Sequence, residues 1–356
     1  MKIIQVIPSF AFGGAEIMCE NLLYAQKKLG HEVIAVSLFD LHSAITDRIE
    51  SEGIKIFFMG KKPGLDLSMK RKLTKLFRAE KPDAVHIHLN AIKYAAPAAK
   101  AAKVKKCVYT VHNLAQKDAA GFSQKLNAYF FSHSMAQPVA LSSTVKESIA
   151  KVYGICECKI PVVFNGIDLS KCIVKTDYEV GENFEILHIG RFFAQKNHGG
   201  MLRAFAKVCE QYPDARLRLV GDGELRTDSE ELARALGVES NVIFEGAQSN
   251  VYPYLNAADM FILPSLYEGV PITLIEAMGS ALPIVATAVG GVPDMLADGE
   301  SAALCECEVD AIANACLTLM ADAKLRAKYG RAAFEAAAEF SAEGMAERYL
   351  EIYSQK

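Results

Sequence analysis

Short apolar runs, recurring along the whole chain with helical segments between them, constrain this sequence more than any other feature. In the first half they are KIIQVIP (2–8), HEVIAVSLF (31–39), IKIFFM (54–59), AVHIHL (84–89), CVYTVH (107–112) and PVALSS (138–143). In the second half they are FEILHIGR (184–191), ARLRLVGDG (215–223), NVIFEG (241–246), DMFILPS (259–265) and PIVAT (283–287). Runs of four to eight largely apolar residues fit parallel strands buried on both faces. Strands alternating with helices predict an α/β chain, with one doubly wound, Rossmann-like parallel sheet in each half. Two such domains are expected to face each other across a cleft. The polar, aperiodic segment 168–183 is the expected linker, and the chain reads as helix from about Val309 almost to its end. The expected divisions are 1–170, 171–340 and a C-terminal helix over 341–356.

The length of 356 residues suits two domains, and 51% apolar residues can fill two cores. No apolar run reaches the roughly 18 residues of a membrane span. The start, MKIIQVIPSF, reads as a strand and not as a signal peptide, which makes a cytosolic location the expectation. Nine cysteines are then expected to be free thiols. The two Cys-Glu-Cys triplets, at Cys156/Cys158 and Cys305/Cys307, do not have zinc-site spacing and read as surface turns. A net charge of −3 conceals a basic half, 1–175, joined to an acidic half, 176–356. A basic domain suits an anionic partner such as a phosphorylated substrate or a phospholipid surface. Nucleic acid is disfavoured, because no basic patch is interleaved with stacking aromatics.

In doubly wound sheets, ligands bind beyond the carboxyl ends of the strands, so the loops there hold the candidate chemistry. Gly13-Gly14 follows the first strand and opens a helix. The pair suits either a tight turn or close approach to an anion at a helix N-terminus. It lacks the G-x-G-x-x-G spacing of a dinucleotide fingerprint, which disfavours a nicotinamide dehydrogenase. His112 ends the fifth strand, with His86 and His88 on the neighbouring one; each can be structural or can meet a ligand. Gly190-Arg191 ends the first strand of the second domain, and Lys196 follows five residues after Arg191. A planar fork and a mobile point charge together suit a diphosphate, although two solvated cations would look the same. Gly221-Asp222-Gly223-Glu224 reads as a structural turn, with Asp222 or Glu224 capping the next helix.

The stretch EGVPITLIEAMG (268–279) is the most informative. A helix is expected from about Val270 to Gly279, with Pro271 in its first turn. The amides of Ile272 and Thr273 would lack intrahelical partners and could receive a phosphate. Glu268 stands before the helix and Glu276 roughly 9–12 Å along it by helix rise. Two acids so placed could flank a bound phosphate, or could be a cap and an ordinary helix glutamate.

Taken together, the chain resembles the group 1 (family 4) glycosyltransferases, retaining enzymes of the GT-B fold. The matching residues are Gly13-Gly14-Ala15-Glu16, Asn165-Gly166-Ile167-Asp168, Gly190-Arg191 with Gln195-Lys196-Asn197-His198, Gly221-Asp222-Gly223-Glu224, and Glu268-Gly269-x-Pro271 through Glu276-Ala277. The resemblance spans nearly the whole chain. It implies that the first domain binds the acceptor and the second a nucleoside-diphosphate sugar, with UDP favoured and GDP next. The C-terminal helix would pack back on the first domain. Glu276 would hold the ribose, Glu268 the donor sugar, and Arg191 and Lys196 the diphosphate. The amides near Ile272 and Thr273, with Gly14, would complete the phosphate site, and His112 would lie beside the donor sugar. No catalytic metal or cofactor is implied, and there is no Asp-x-Asp to hold one. The Gln-Lys-Asn-His form resembles enzymes of capsular and exopolysaccharide synthesis. Two alternatives share the fold: a sugar-nucleotide epimerase and a silent nucleotide-sugar-binding subunit. The basic segment LDLSMKRKLTKLFRAEK (65–81) reads either as an amphipathic helix packed on its own sheet with a solvated basic face, or as a peripheral attachment to the cytoplasmic face of an anionic membrane, where a glycan or lipid-linked acceptor could be met.

Overall fold

The computed structural model describes every residue except Phe12, Glu182 and Lys356, so Glu182 of the expected linker and the last residue of the expected C-terminal helix lie outside the described residues. The chain divides into two compact units, Met1–Ile167 with Ser341–Lys356, and Asp168–Phe340.

The first unit holds β1 (Lys2–Ile7), β2 (Glu32–Ser37), β3 (Lys55–Phe58), β4 (Ala84–His88), β5 (Lys106–Val111) and β6 (Gln137–Ala140). All pair in parallel, in the order β3-β2-β1-β4-β5-β6. The central strands are buried along almost their full length, which is why they read as unbroken apolar runs. Helix Ser68–Glu80 shows the other pattern. Met69, Leu73 and Phe77, spaced four apart, are buried against the sheet core, while Lys70, Arg71, Lys75 and Arg78 stay exposed.

The second unit holds β7 (Glu185–Ile189), β8 (Arg216–Val220), β9 (Val242–Gly246), β10 (Met260–Leu263), β11 (Ile284–Thr287) and β12 (Ala303–Cys305). Its order, β12-β11-β10-β7-β8-β9, is the same winding as the first. Each sheet therefore has one switch point, between β1 and β4 in one unit and between β7 and β10 in the other. All eleven expected strands form. The twelfth, β12, is a three-residue edge strand too short to leave a periodic signal.

The C-terminal region is helical as expected, in three pieces: Val309–Ala321, Ala323–Ala337 and Ala342–Ser354. Asp322 and Ser341 accept backbone N–H groups at the starts of the second and third. The last helix belongs to the first unit. Ala342 donates its N–H to the Ile167 carbonyl at 2.8 Å. A Cβ on Gly166 would lie 2.3 Å from the Ser341 carbonyl oxygen, so the Asn165-Gly166 step makes room for the returning chain.

Three expectations change. Cys156 and Cys158 do stand on an exposed turn, but they are joined in a disulfide, and the other seven cysteines are free. The turn Glu157–Lys159 leaves their Cα atoms 5.3 Å apart, within the span of such a bond. Cys305 closes β12 instead of forming a turn, and Cys307 Sγ packs on the carbonyls of Pro264 and Ser265. Neither Asp222 nor Glu224 caps the helix Arg226–Ala235; Leu225 occupies the N-cap, and Asp222 instead accepts the Gly223 amide.

Candidate active site

In the second unit, the loops beyond β7 and β10 interlock. Gly190 follows β7 in the position where a Cβ would press on His188 Nε2 at 2.7 Å and on the Lys196 stem at 3.3 Å. The next loop fits equally closely, since a Cβ on Gly221 would lie 2.0 Å from the Gly190 carbonyl oxygen. The Gly-Asp-Gly turn is thus structural, as expected. It exists so that two strand ends can touch through backbone.

Gln195-Lys196-Asn197 then joins the two loops. The Leu266 amide donates to the Gln195 carbonyl, and Gln195 Nε2 donates to the Tyr267 carbonyl and to Glu268 Oε2. Asn197 takes a left-handed backbone at φ 53°, caps helix His198–Gln211 by accepting the Gly200 amide, and donates to the Pro264 carbonyl. These bonds place Lys196 Nζ 2.7 Å from Glu268 Oε1, with both side chains largely sealed from solvent. Arg191 behaves differently. It is exposed, its guanidinium lies 4.5 Å from the Phe193 ring centroid, and no carboxylate pairs with it among the described residues.

Beyond Glu268, buried Gly269 and Val270 lead to helix Ile272–Gly279. Its start differs from expectation: Pro271 is the N-cap in an extended conformation, and the first helical residue is Ile272. The Pro271 carbonyl accepts the amides of Leu274 and Ile275, which leaves those of Ile272 and Thr273 without intrahelical acceptors. Two hydroxyls nearby in sequence, Ser265 Oγ and Thr273 Oγ1, are buried with no hydrogen-bond partner among the described residues. Sequence reading overlooked them, because a serine at a strand end and a threonine in a helix are commonplace.

Glu276 is 8% exposed, and no hydrogen bond reaches its carboxyl group among the described residues. Burial pushes its pKa up to about 8, and the Lys171 charge opposes this. A buried carboxyl group without donors is an unmet demand for hydroxyl or N–H groups. The backbone of Glu268 is also fixed from the loop after β11: a Cβ on Gly290, at φ 57°, would lie 1.8 Å from the Glu268 carbonyl oxygen, and the Gly291 amide donates to that oxygen.

In the first unit, Gly13 is the N-cap of helix Gly14–Lys28, and Gly14 has open space where a Cβ would stand. His112 follows β5. Its amide donates to Asp118 Oδ1, whose other oxygen accepts the Tyr109 hydroxyl at 2.6 Å. Its Nε2 lies 3.1 Å from His88 Nδ1. Desolvation lowers the His112 pKa to about 4 and those of His86 and His88 well below the ordinary imidazole value, so all three are neutral near pH 7. Among the described residues, no group of three or more His, Cys, Asp or Glu side chains is arranged to hold a metal ion.

The comparisons with known proteins agree in both halves. A family model described as "Glycosyl transferases group 1" matches residues 175–336, and one described as "Glycosyltransferase Family 4" matches residues 12–171. The chain is 29% identical over 313 residues to the N-acetyl-alpha-D-glucosaminyl L-malate synthase of Bacillus anthracis, covering 82% of this chain and 79% of the relative. It is 30% identical over 243 residues to the UDP-Gal:alpha-D-GlcNAc-diphosphoundecaprenol alpha-1,3-galactosyltransferase of Escherichia coli, covering 64% and 63%. Among solved structures, HepE of Anabaena, in complex with UDP and glucose, superposes with a TM-score of 0.87 at 20% identity over the full length of both chains. WaaG, a glycosyltransferase involved in lipopolysaccharide biosynthesis, superposes with 0.74 at 17%, again over both full chains. The chain belongs to the group 1 glycosyltransferases, and it is an enzyme of that family with the GT-B fold.

Proposed function

We propose that the enzyme moves a sugar from a nucleoside-diphosphate sugar to a glycan or lipid-linked acceptor with retention at the anomeric carbon, in the synthesis of a cell-surface polysaccharide such as a capsule or exopolysaccharide. UDP is the favoured nucleotide and GDP the next. The observation that carries this reading is helix Ile272–Gly279: two amides without intrahelical acceptors at its start, and a buried carboxyl group without donors at Glu276. A phosphate suits the amides, and the two ribose hydroxyls suit the carboxylate. HepE, solved with UDP and with UDP-glucose, and the galactosyltransferase named for UDP-Gal support the choice of nucleotide.

The chemistry follows from charge. As the bond from the anomeric carbon to the β-phosphate oxygen breaks, negative charge grows on the diphosphate. Arg191, Lys196 and the helix-end amides stabilise it more in the transition state than in the ground state. Glu268 and His112 hold hydroxyls of the donor sugar while its ring gains oxocarbenium character. The acceptor oxygen attacks the face that the diphosphate leaves, and its proton passes to the departing phosphate oxygen. Glu268 is already committed to Lys196, so that pair acts as one preorganised unit. Incubation with UDP-glucose, UDP-galactose, UDP-N-acetylglucosamine and GDP-mannose, followed by proton NMR, tests the reading. Slow release of the α-anomer from one α-linked donor is expected. First appearance of the β-anomer would overturn retention.

Location is a second element of the proposal: the enzyme works at the cytoplasmic face of an anionic membrane. No helix among the described residues is long and apolar enough to cross a bilayer. Leu65 and Leu67 are 73% and 80% exposed beside the basic face formed by Lys70, Arg71, Lys75 and Arg78. Exposed leucines next to lysines and arginines suit insertion among anionic headgroups. Co-sedimentation with phosphatidylglycerol vesicles at low salt, weakened at high salt and by Leu65→Ser with Leu67→Ser, is the expected result. Equal recovery with and without vesicles would reject it.

A further inference from the structure

A line of buried polar side chains runs through the first unit, from the last helix to His112. Gln26 Nε2 donates to the Tyr353 hydroxyl at 3.4 Å, and Gln5 Nε2 donates to Gln26 Oε1 at 3.0 Å. Gln5 Oε1 lies 2.9 Å from His88 Nε2, and His88 Nδ1 lies 3.1 Å from His112 Nε2. On the other side, the Tyr353 hydroxyl lies 2.6 Å from His86 Nδ1, His86 Nε2 lies 2.7 Å from Thr110 Oγ1, and Thr110 Oγ1 lies 2.7 Å from the Tyr349 hydroxyl. Gln5, Gln26, His86, His88 and Thr110 are all fully buried.

The side-chain amides of Gln5 and Gln26 set the direction of the links between His112 and Tyr353. Gln5 uses its amide nitrogen on Gln26, so its oxygen accepts, and the donor must be His88 Nε2–H. His88 is neutral, so its Nδ1 carries a lone pair. His112 is neutral too, and the bond to His88 Nδ1 requires His112 to donate from Nε2. Its Nδ1 is then a bare acceptor, and no partner reaches that atom among the described residues. The Tyr353 hydroxyl accepts from Gln26 and lies 2.6 Å from His86 Nδ1, which it can meet with its proton or with its second lone pair. Every link from His112 through His88, Gln5 and Gln26 to Tyr353 points the same way.

We propose that this chain is a positioning device in which Tyr353, Gln26, Gln5 and His88 lock His112 as the Nε2–H tautomer, so that its Nδ1 accepts a hydroxyl of the donor sugar. The proposal rests on the reading that His112 meets that sugar. His88 is a positioning residue in this account and touches no substrate. A neutral imidazole in water populates both tautomers, and the wrong one presents a proton where a lone pair is needed. The last helix, contributed by the far end of the chain, is thereby tied to the chemistry of the loop after β5.

The test is nitrogen-15 NMR of histidine-labelled full-length protein, wild type against His88→Leu and His88→Asn, with release of sugar from UDP-glucose, UDP-galactose, UDP-N-acetylglucosamine and GDP-mannose as the activity readout. The asparagine of His88→Asn can still accept from His112 Nε2–H through its side-chain oxygen, and the leucine of His88→Leu cannot. Wild type and His88→Asn should show His112 protonated on Nε2, and His88→Leu should show a mixture. Turnover should fall at least tenfold in His88→Leu, with affinity for the free nucleotide of the active donor unchanged, and recover in His88→Asn. A His112 Nδ1–H signal in the wild type, or a tautomer unaffected by His88→Leu, would overturn the proposal. So would a lost tautomer with undiminished turnover while His112→Ala abolishes it. Full turnover in His112→Ala would instead remove the underlying reading of His112, and the proposal with it, whatever the NMR shows.

Discussion

Lys196 Nζ sits 2.7 Å from Glu268 Oε1, a nearly buried ion pair that joins the loop after β7 to the loop after β10. Removing one partner of such a pair strands the other charge in a poorly solvated site, at a cost of about 3–5 kcal/mol. Lys196→Met should therefore lower the melting temperature markedly as well as abolish transfer. The double variant Lys196→Met with Glu268→Leu should regain most of the stability and none of the activity. Thermal unfolding beside a donor-turnover assay separates the two effects.

Glu276 gives a pH dependence with a defined sign. Its folded pKa is about 8, against an ordinary value of 4.5. Between those values the folded protein holds a proton that the unfolded chain has lost, so stability falls as pH rises from 4.5 to 8. Hydroxyl donors from a ribose favour the charged carboxylate, so binding releases the proton. Nucleotide affinity should rise up to about tenfold per pH unit from about pH 6 toward 8 and level off above it. Calorimetry in buffers of different ionisation enthalpy should detect the released proton. Glu276→Gln should abolish the release and flatten both profiles.

Gly290 should tolerate no side chain. Its left-handed backbone, and the 1.8 Å approach of a Cβ to the Glu268 carbonyl oxygen, mean that alanine must displace the Glu268 turn. Strain of this kind costs on the order of 1–3 kcal/mol before the clash is counted. Gly290→Ala should lower kcat/KM at least tenfold with a modest drop in Tm, measurable by parallel kinetics and melting.

Gly166→Ala tests the return of the chain. The new methyl group would meet the Ser341 carbonyl oxygen at 2.3 Å. Hydrogen exchange of the amides in Ala342–Ser354 should accelerate while those of β7 and β8 stay protected. Unchanged exchange in that helix would show that the contact is slack.

The fold was largely legible because parallel strands buried on both faces leave unbroken apolar runs, and eleven of twelve strands announced themselves so. β12 did not, since three half-buried residues carry no period. The second unit's candidate residues were legible because they cluster at strand ends within short stretches. Lys196 and Glu268 were assigned to diphosphate and sugar separately, and their mutual bond joins residues 72 positions apart, which local pattern cannot show. The same limit hid Gln5, Gln26, Tyr349 and Tyr353, which look like ordinary residues of a strand and two helices. The Cys156–Cys158 bond is not legible from compartment, which speaks to redox conditions and not to two sulfurs that a short turn brings together.

The central claim is that Glu276 and the start of its helix bind a nucleoside diphosphate. The most direct measurement is isothermal titration calorimetry of the full chain against UDP, GDP and ADP without added metal, with Glu276→Ala alongside. Micromolar binding of one nucleotide, UDP first, weakened at least tenfold in the variant, is the expected result. Binding of none of the three, or binding that Glu276→Ala leaves unchanged, would contradict the account.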